Sequence, residues 1–197
     1  MSDIKKIVIT AMLISMGIVL PMVFHMIPQG LGGRVLLPMH IPVLLVGLIV
    51  GPFFGFFAGL MTPLLSSMTT GMPAAGITVY RMMAELSVYG LMAGLTMRLV
   101  HTRQAMVDLY ISLVVAMFAG RVAAGIVQAF LLLGGVGRFG IGLWVTGYFY
   151  TSLPGIILQL IVVPSIIIAL ERARLIPPRY PTNNKPPTIA NVIEKRD

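Results

Sequence analysis

The sequence contains no cysteine, and this absence removes three kinds of chemistry. Disulfide bonds, thiolate metal sites and cysteine nucleophiles all require that side chain. Charge is also scarce, because only 10% of the 197 residues are charged whereas 57% are hydrophobic. A soluble domain of this composition would have too little polar surface to cover its core. We therefore predict an integral membrane domain.

Motifs for nucleotide binding are missing as well. No Gly-Lys-Ser or Gly-Lys-Thr sequence occurs, so the chain lacks the P-loop with which many ATPases hold phosphates. Gly135, Gly137 and Gly140 do have the spacing of a dinucleotide-binding fingerprint. That fingerprint must follow a strand and open a helix, whereas these glycines lie between two apolar runs. We interpret them as a loop.

The sequence offers no arrangement for catalysis or for a metal ion. A catalytic zinc ion needs about three protein ligands, and His25, His40 and His101 do not have such a spacing. The serines are not accompanied by a histidine and a carboxylate on facing segments. We therefore expect no enzyme, no cofactor and no metal site.

Apolar runs predict six transmembrane helices in one all-α domain, because a membrane span needs about 20 mainly apolar residues. Lys5 and Lys6 precede the first run as in a signal peptide, but no small-residue cleavage pattern follows, so we expect a retained helix. The second run is too short to span alone, and we expect it to be tilted or partly buried against the third. The predicted helices are 4–26, 40–50, 53–67, 78–97, 108–133 and 153–173. The domain is thus 1–175, and the proline-rich segment 176–197 is expected to be a flexible cytoplasmic tail.

Basic residues are divided unequally between the two sides that this topology defines. One side carries only Arg34 and Arg138. The other side includes both termini and carries the following ten: Lys5, Lys6, Arg98, Arg103, Arg172, Arg174, Arg179, Lys185, Lys195 and Arg196. Cytoplasmic segments of membrane proteins have this excess, so we expect both termini in the cytoplasm. The bias explains the net charge of +8 without nucleic acid, for which an aromatic-interleaved basic patch is missing.

Glycine recurs at every fourth position across the second and third predicted helices, at Gly47, Gly51, Gly55 and Gly59. This spacing lets helix backbones approach closely within a membrane. We interpret it as packing within the chain, with association between subunits as the alternative.

Three charged residues, Arg81, Glu85 and Arg121, interrupt the apolar runs. Charged groups in membrane helices usually face a protein interior or a watery cavity. At ~1.5 Å per residue along a helix, Glu85 lies roughly 10 Å and Arg121 roughly 18 Å below the outer ends of their helices. Their long side chains can bridge this difference in depth, so the two groups can approach each other. A buried ion network that only fixes packing is one interpretation. The other is a ligand carboxylate, because two arginines facing one glutamate leave an excess of positive charge.

Further polar residues are expected to complete this site. Tyr89 extends the face of Arg81 and Glu85, and Gln128 lies on the face of Arg121. Outer segments carry Trp144, Tyr148 and Tyr150, which are either membrane anchors or parts of a glycine-hinged lid. The predicted substrate-binding residues are Arg81, Glu85, Arg121, Gln128, Tyr89, His40, Gln159 and Tyr148.

Four short stretches carry a resemblance to a known family. They are Leu-Pro-Met-His-Ile-Pro-Val-Leu-Leu at 37–45, Gly-Pro-Phe-Phe-Gly at 51–55, Pro-Leu-Leu at 63–65 and Gly-Met-Pro at 71–73. With them the chain resembles the substrate-binding S components of energy-coupling factor (ECF) vitamin transporters, over about 7–173, and looks most like the pantothenate type. The resemblance implies a multi-pass protein of the bacterial plasma membrane that binds a vitamin from outside. It also implies a membrane-embedded coupling (T) subunit and two cytoplasmic ATPase subunits as partners.

The first helix carries a small notch at Ala11 and Ser15, one turn apart. Packing within the chain is the ordinary interpretation of such a notch. In the family that the chain resembles, an Ala-x-x-x-Ala motif on this helix contacts the coupling subunit. Ala11 matches that motif and Ser15 replaces its second alanine, so the resemblance implies a docking role for both.

Several functional alternatives remain open at this point. Pantothenate has a carboxylate, an amide and two hydroxyls, which suit arginine, glutamine and tyrosine partners, but other acidic vitamins suit them too. Pyridoxine or a hydroxymethylpyrimidine is the alternative substrate. A self-sufficient secondary transporter or small channel is the competing class, with the buried charges as a proton relay.

Overall fold

The computed structural model describes residues 2–25, 37–132, 140–177 and 179. Within these ranges the chain forms helices and turns without a strand, which confirms the predicted all-α class. The helices are α1 (Asp3–His25), α2 (His40–Ile49), α3 (Pro52–Thr70), α4 (Ile77–Leu99), α5 (Ala105–Leu131), α6 (Ile141–Val145) and α7 (Leu153–Arg172). A π-helical segment, Thr146–Tyr150, joins α6 to α7.

The six predicted helices correspond to α1 to α5 and α7, and their ends agree to within one turn. The short α6 and the π-helical segment lie in a stretch that was predicted to be a break. In the described ranges, α1, α3, α5 and α7 are long and apolar enough to cross a membrane. α4 is as long as α1, at 23 residues, but it carries Arg81, Glu85 and Arg98.

α2 lies at the centre of the bundle. Its ten residues extend over only about 15 Å, half the thickness of the hydrocarbon core. It contacts α1, α3, α4 and α7, and its first eight residues are all buried. Apolar side chains on every face, such as Val43, Leu44 and Val46, permit this burial. The prediction of a short helix packed against the third one is confirmed, and its outer end places His40 inside the protein.

Glycine lets α2, α3 and α4 touch through their backbones. Gly47 on α2 and Gly55 on α3 both lie against the carbonyl group of Gly90 on α4, and a Cβ at either glycine would overlap it. Gly59 lies in the same way against the carbonyl group of Leu86. A Cβ at Gly94 would come within 2.5 Å of a backbone nitrogen of α3. The regular glycines therefore serve packing within the chain, as predicted.

Two ends of the bundle can be defined from these contacts. The inner end contains the corner between α2 and α3 at Gly51 and the turn 100–104 between α4 and α5. These segments lie together, because the guanidinium group of Arg98 packs directly on Gly51. The outer end contains the turn 71–76 and α6. By the distribution of basic residues, we expect the inner end to face the cytoplasm.

The notch on α1 faces away from the rest of the chain. Ala11 and Ser15 are exposed, and the Ser15 hydroxyl donates a hydrogen bond to the Ala11 carbonyl at 3.0 Å. The opposite face of α1 makes the internal contacts, where Gly17 lies against Thr62 and Pro42. In the described part of the chain, the notch therefore does not serve internal packing, and it remains open to lipid or to a partner.

Candidate functional site

A polar cluster lies in the outer half of the bundle, where α2, α4, α5 and α7 face one another. We call these residues the outer polar cluster: His40, Arg81, Glu85, Tyr89, Arg121, Gln128 and Gln159. Five of them are at most 5% exposed, and only Arg81 and Gln128 are partly accessible. Seven of the eight predicted substrate-binding residues thus lie on helices that pack together.

The faces of α4 and α5 meet as their spacing predicts. The Arg81 guanidinium donates from Nη1 to Oε1 of Gln128 at 3.5 Å, which links the outer turns of the two helices. Deeper in the bundle, Gly120 on α5 lies directly against the Tyr89 ring and the Glu85 carbonyl. Since Gly120 has no side chain, the two helices come close enough for long side chains to meet between them.

Glu85 faces His40 instead of the arginines. The His40 Nε2 atom lies 3.5 Å from Oε1 of Glu85, and the His40 ring packs edge-on against Tyr89 with centroids 5.1 Å apart. In the described residues, neither Arg81 nor Arg121 forms an ion pair with Glu85. The helical spacing predicted instead that both arginines would face Glu85. The structure differs because the buried α2 brings His40 to the carboxylate.

Positive charge exceeds negative charge at the outer half. The sequence has six carboxylate residues, four of them in the described part of the chain, and of these four Glu85 lies in the outer half. The others belong to the inner ends of helices or to the C-terminal segment: Asp3, Asp108, Glu171, Glu194 and Asp197. The predicted outer loops contain arginine but no acidic residue. Arg121 and Glu85 are buried, whereas Arg81 adds a partly accessible positive charge, which an anion or water can offset.

Gln159 on α7 presents an amide without a protein partner. The residue is 0% exposed, and neither Oε1 nor Nε2 has a hydrogen-bond partner in the described structure. Val163 and Ile167, one and two turns further along the same face, belong to the apolar core that also contains Tyr89. Leaving such an amide unsatisfied costs about 1–3 kcal/mol. A buried amide that faces the core near other polar groups is typical of a position that a ligand or a water molecule completes.

Comparison with known proteins decides the family. A family model for the substrate-specific component of ECF transporters matches residues 5–167. The chain belongs to this family. No similar curated protein and no similar solved structure was found. The match extends from α1 into α7 and so includes every residue of the outer polar cluster.

Membership of the family settles the general role of the chain. ECF S components are substrate-binding subunits of transporters and are not enzymes. They bind a small molecule and work with a membrane-embedded subunit and ATPases. The resemblance noted from the sequence is therefore confirmed at the level of the family.

α6 covers the outer end of this S component and was not predicted. The indole ring of its Trp144 packs on Gly125 of α5, and its Nε1 would lie 2.5 Å from a Cβ at that glycine. Gly125 lies one turn from Arg121, so the indole shields the face that carries the arginine. The glycine was the only signal in the sequence for this contact. Tyr148 lies in the π-helical segment, and its side chain is outside the described residues.

We predict that Gln159→Leu stabilises the S component without ligand. Leucine has a similar size and removes the buried amide that has no partner, so the free energy of unfolding should rise by about 1 kcal/mol. Thermal unfolding of the purified protein in detergent measures the change. The matched control is Gln128→Leu, which removes the acceptor that faces Arg81 and should give no such gain. Earlier unfolding of Gln159→Leu than of the control would show that the amide has a structural role.

Proposed function

We propose that this S component captures an anionic vitamin at its outer end, with pantothenate as the best candidate, and delivers it together with a coupling subunit and two ATPases. One observation carries the proposal. Among the described residues, Arg81 and Arg121 share the outer half with one carboxylate, that of Glu85, which faces His40. A carboxylate on the ligand would balance the charge.

The chemistry of pantothenate suits the polar groups of the cluster. Its carboxylate can form a two-pronged contact with a guanidinium group, which is the strongest type of hydrogen-bonded ion pair that arginine makes. Its amide and hydroxyl groups suit the Gln159 amide on α7 and the Tyr89 hydroxyl on α4, and both residues are 0% exposed. Arg81 and Gln128 are nearer the outer surface, so we assign them to ligand entry and Arg121 to the deeper ion pair.

Neutral vitamins would use different residues. Pyridoxine and hydroxymethylpyrimidine have a ring nitrogen and hydroxyl groups but no carboxylate, so their natural partners would be His40 and Glu85. A substrate that depends on this pair and not on the arginines would indicate one of these vitamins. The two groups of substrates are therefore distinguishable by mutation.

We predict that Arg121→Ala weakens pantothenate binding at least tenfold, which corresponds to about 1.4 kcal/mol. Alanine removes the buried guanidinium group that we assign to the ligand carboxylate. Isothermal titration of the purified protein measures the effect, with Arg103→Ala at the inner end as a control that should bind normally. The neutral alcohol analogue of pantothenate should lose affinity for the wild-type protein by a similar factor.

The proposal fails if Arg81→Ala and Arg121→Ala both fold and both bind pantothenate as the wild type does. Binding of pyridoxine or hydroxymethylpyrimidine in preference to pantothenate would keep the transport role and replace the substrate. Mass spectrometry of the vitamin that co-purifies with the protein provides an independent identification.

We predict that uptake of the vitamin needs the ATPase subunits. The chain has no P-loop, so ATP hydrolysis must come from partners. Liposomes that contain the S component alone should not accumulate the vitamin with an imposed proton or sodium gradient, whereas liposomes with the coupling subunit, the ATPases and ATP should. Accumulation driven by a gradient alone would favour the secondary transporter, with His40 and Glu85 as the buried proton-carrying pair.

We also predict that the notch on α1 docks on the coupling subunit. Ala11→Trp combined with Ser15→Val should prevent assembly, because a partner helix can approach closely only where both side chains are small. Vitamin binding should stay near normal, since the exposed notch lies outside the outer polar cluster. Pull-down with the coupling subunit and ligand titration measure the two effects. The equally exposed Met12→Trp, beside the notch, is the control; assembly of the double variant would contradict the docking role.

A further inference from the structure

The inner end of the bundle contains a cavity of about 330 Å³ that lies far from the outer polar cluster. It is bounded by the corner between α2 and α3, by the end of α4 and by Arg179. Among the described residues that line it, Arg98, His101 and Arg179 are basic and none is acidic. The cavity therefore has two guanidinium groups and one imidazole in its lining, at the end that we expect to face the cytoplasm.

The structure holds Arg98 over this cavity by means of a glycine. Gly51 has a φ of +128°, a conformation that side chains disfavour, and a Cβ at this position would collide with Nη2 of Arg98. The Arg98 guanidinium thus packs against the backbone of Gly51, which has no side chain, at the corner between α2 and α3. No hydrogen bond or ion pair of Arg98 is found in the described structure, so its charge is available to a ligand.

Arg179 is fixed at the opposite wall. Its Nε donates to Oδ2 of Asp108 at 2.7 Å, and its Nη2 donates to the Val100 carbonyl. Asp108 is fully buried, and its second oxygen accepts hydrogen bonds from the backbone nitrogen and the hydroxyl of Thr102, at 2.9 and 2.6 Å. The carboxylate is occupied by these contacts, so it balances Arg179 and leaves the charge of Arg98 uncompensated.

Exposed apolar side chains lie close in sequence to Arg98 and Gly51, two of the residues that line the cavity. Leu95 and Leu99 flank Arg98 on α4 and are 38% and 71% exposed, and Phe53, two residues after Gly51, is 67% exposed. A phosphate in solution gains nothing from such neighbours. The acyl chains of a lipid would cover them while the headgroup lies against the arginines.

We propose that this cavity binds a phosphate-bearing anion, and that its source is the headgroup of an acidic phospholipid in the inner leaflet. Basic pockets between membrane helices on the cytoplasmic side are suited to such headgroups. The plain alternative is that Arg98 only caps the carbonyl end of α4. Capping explains the position of one arginine, but it does not explain why three basic side chains line one cavity beside exposed apolar residues.

The test is a lipid titration of the full-length protein in detergent, followed by native mass spectrometry. The probes are phosphatidylglycerol, phosphatidylcholine with the same acyl chains, and inorganic phosphate. The wild type should retain phosphatidylglycerol over phosphatidylcholine. Arg98→Gln should reduce this preference about fivefold, the effect of about one basic residue at a membrane surface. Arg98→Lys should keep most of it, because the charge remains.

Arg103→Gln is the matched control, since Arg103 is also basic, exposed and at the inner end but does not line the cavity. It should leave the preference unchanged. An equal loss in Arg98→Gln and Arg103→Gln would overturn the proposal, because it would indicate diffuse attraction to the whole basic face. Displacement of the lipid by an equal concentration of inorganic phosphate would overturn the assignment to lipid. If Arg98→Gln lowered the unfolding temperature but left the lipid preference unchanged, the proposal would also be overturned, because Arg98 would then only cap the carbonyl end of α4.

Discussion

The contact of three helix backbones through glycine is the constraint on which the rest of the structure depends. α2, α3 and α4 approach so closely at Gly47, Gly55 and Gly90 that no side chain fits between them. Water cannot solvate a backbone in the hydrocarbon core, so a short helix can lie there only if protein surrounds it. α2 meets this condition because α1, α3, α4 and α7 all contact it.

The central position of α2 changes the electrostatics of the outer half. It brings His40 to Glu85, so in the described residues this carboxylate faces a histidine and forms no ion pair with Arg81 or Arg121. The anionic ligand that we propose would depend on this arrangement, because the packing of the membrane helices decides which groups lie beside the arginines. Tyr89 on α4 packs against both His40 on α2 and Gly120 on α5, so it connects these three helices at the site.

The two ends of the molecule differ in the way they hold arginine. At the outer end, Arg121 is 2% exposed and belongs to the interior. At the inner end, Arg98 is exposed over a cavity beside apolar side chains, where an amphipathic molecule fits better. The exposed face of α1 is separate from both. The substrate capture, lipid contact and subunit docking that we propose would thus use different surfaces of one small domain.

The sequence by itself determined the all-α membrane class, the limits of the long helices and the faces of α4 and α5 that carry polar groups. These features depend on local apolar length and on helical spacing, which can be read from neighbouring residues. Only the tertiary structure decided that Glu85 faces His40, that Trp144 packs on Gly125 and that Arg179 reaches Asp108. Each of these contacts joins residues that are distant along the chain. Which residues meet depends on how the helices pack, and local spacing in the sequence carries no information about that packing.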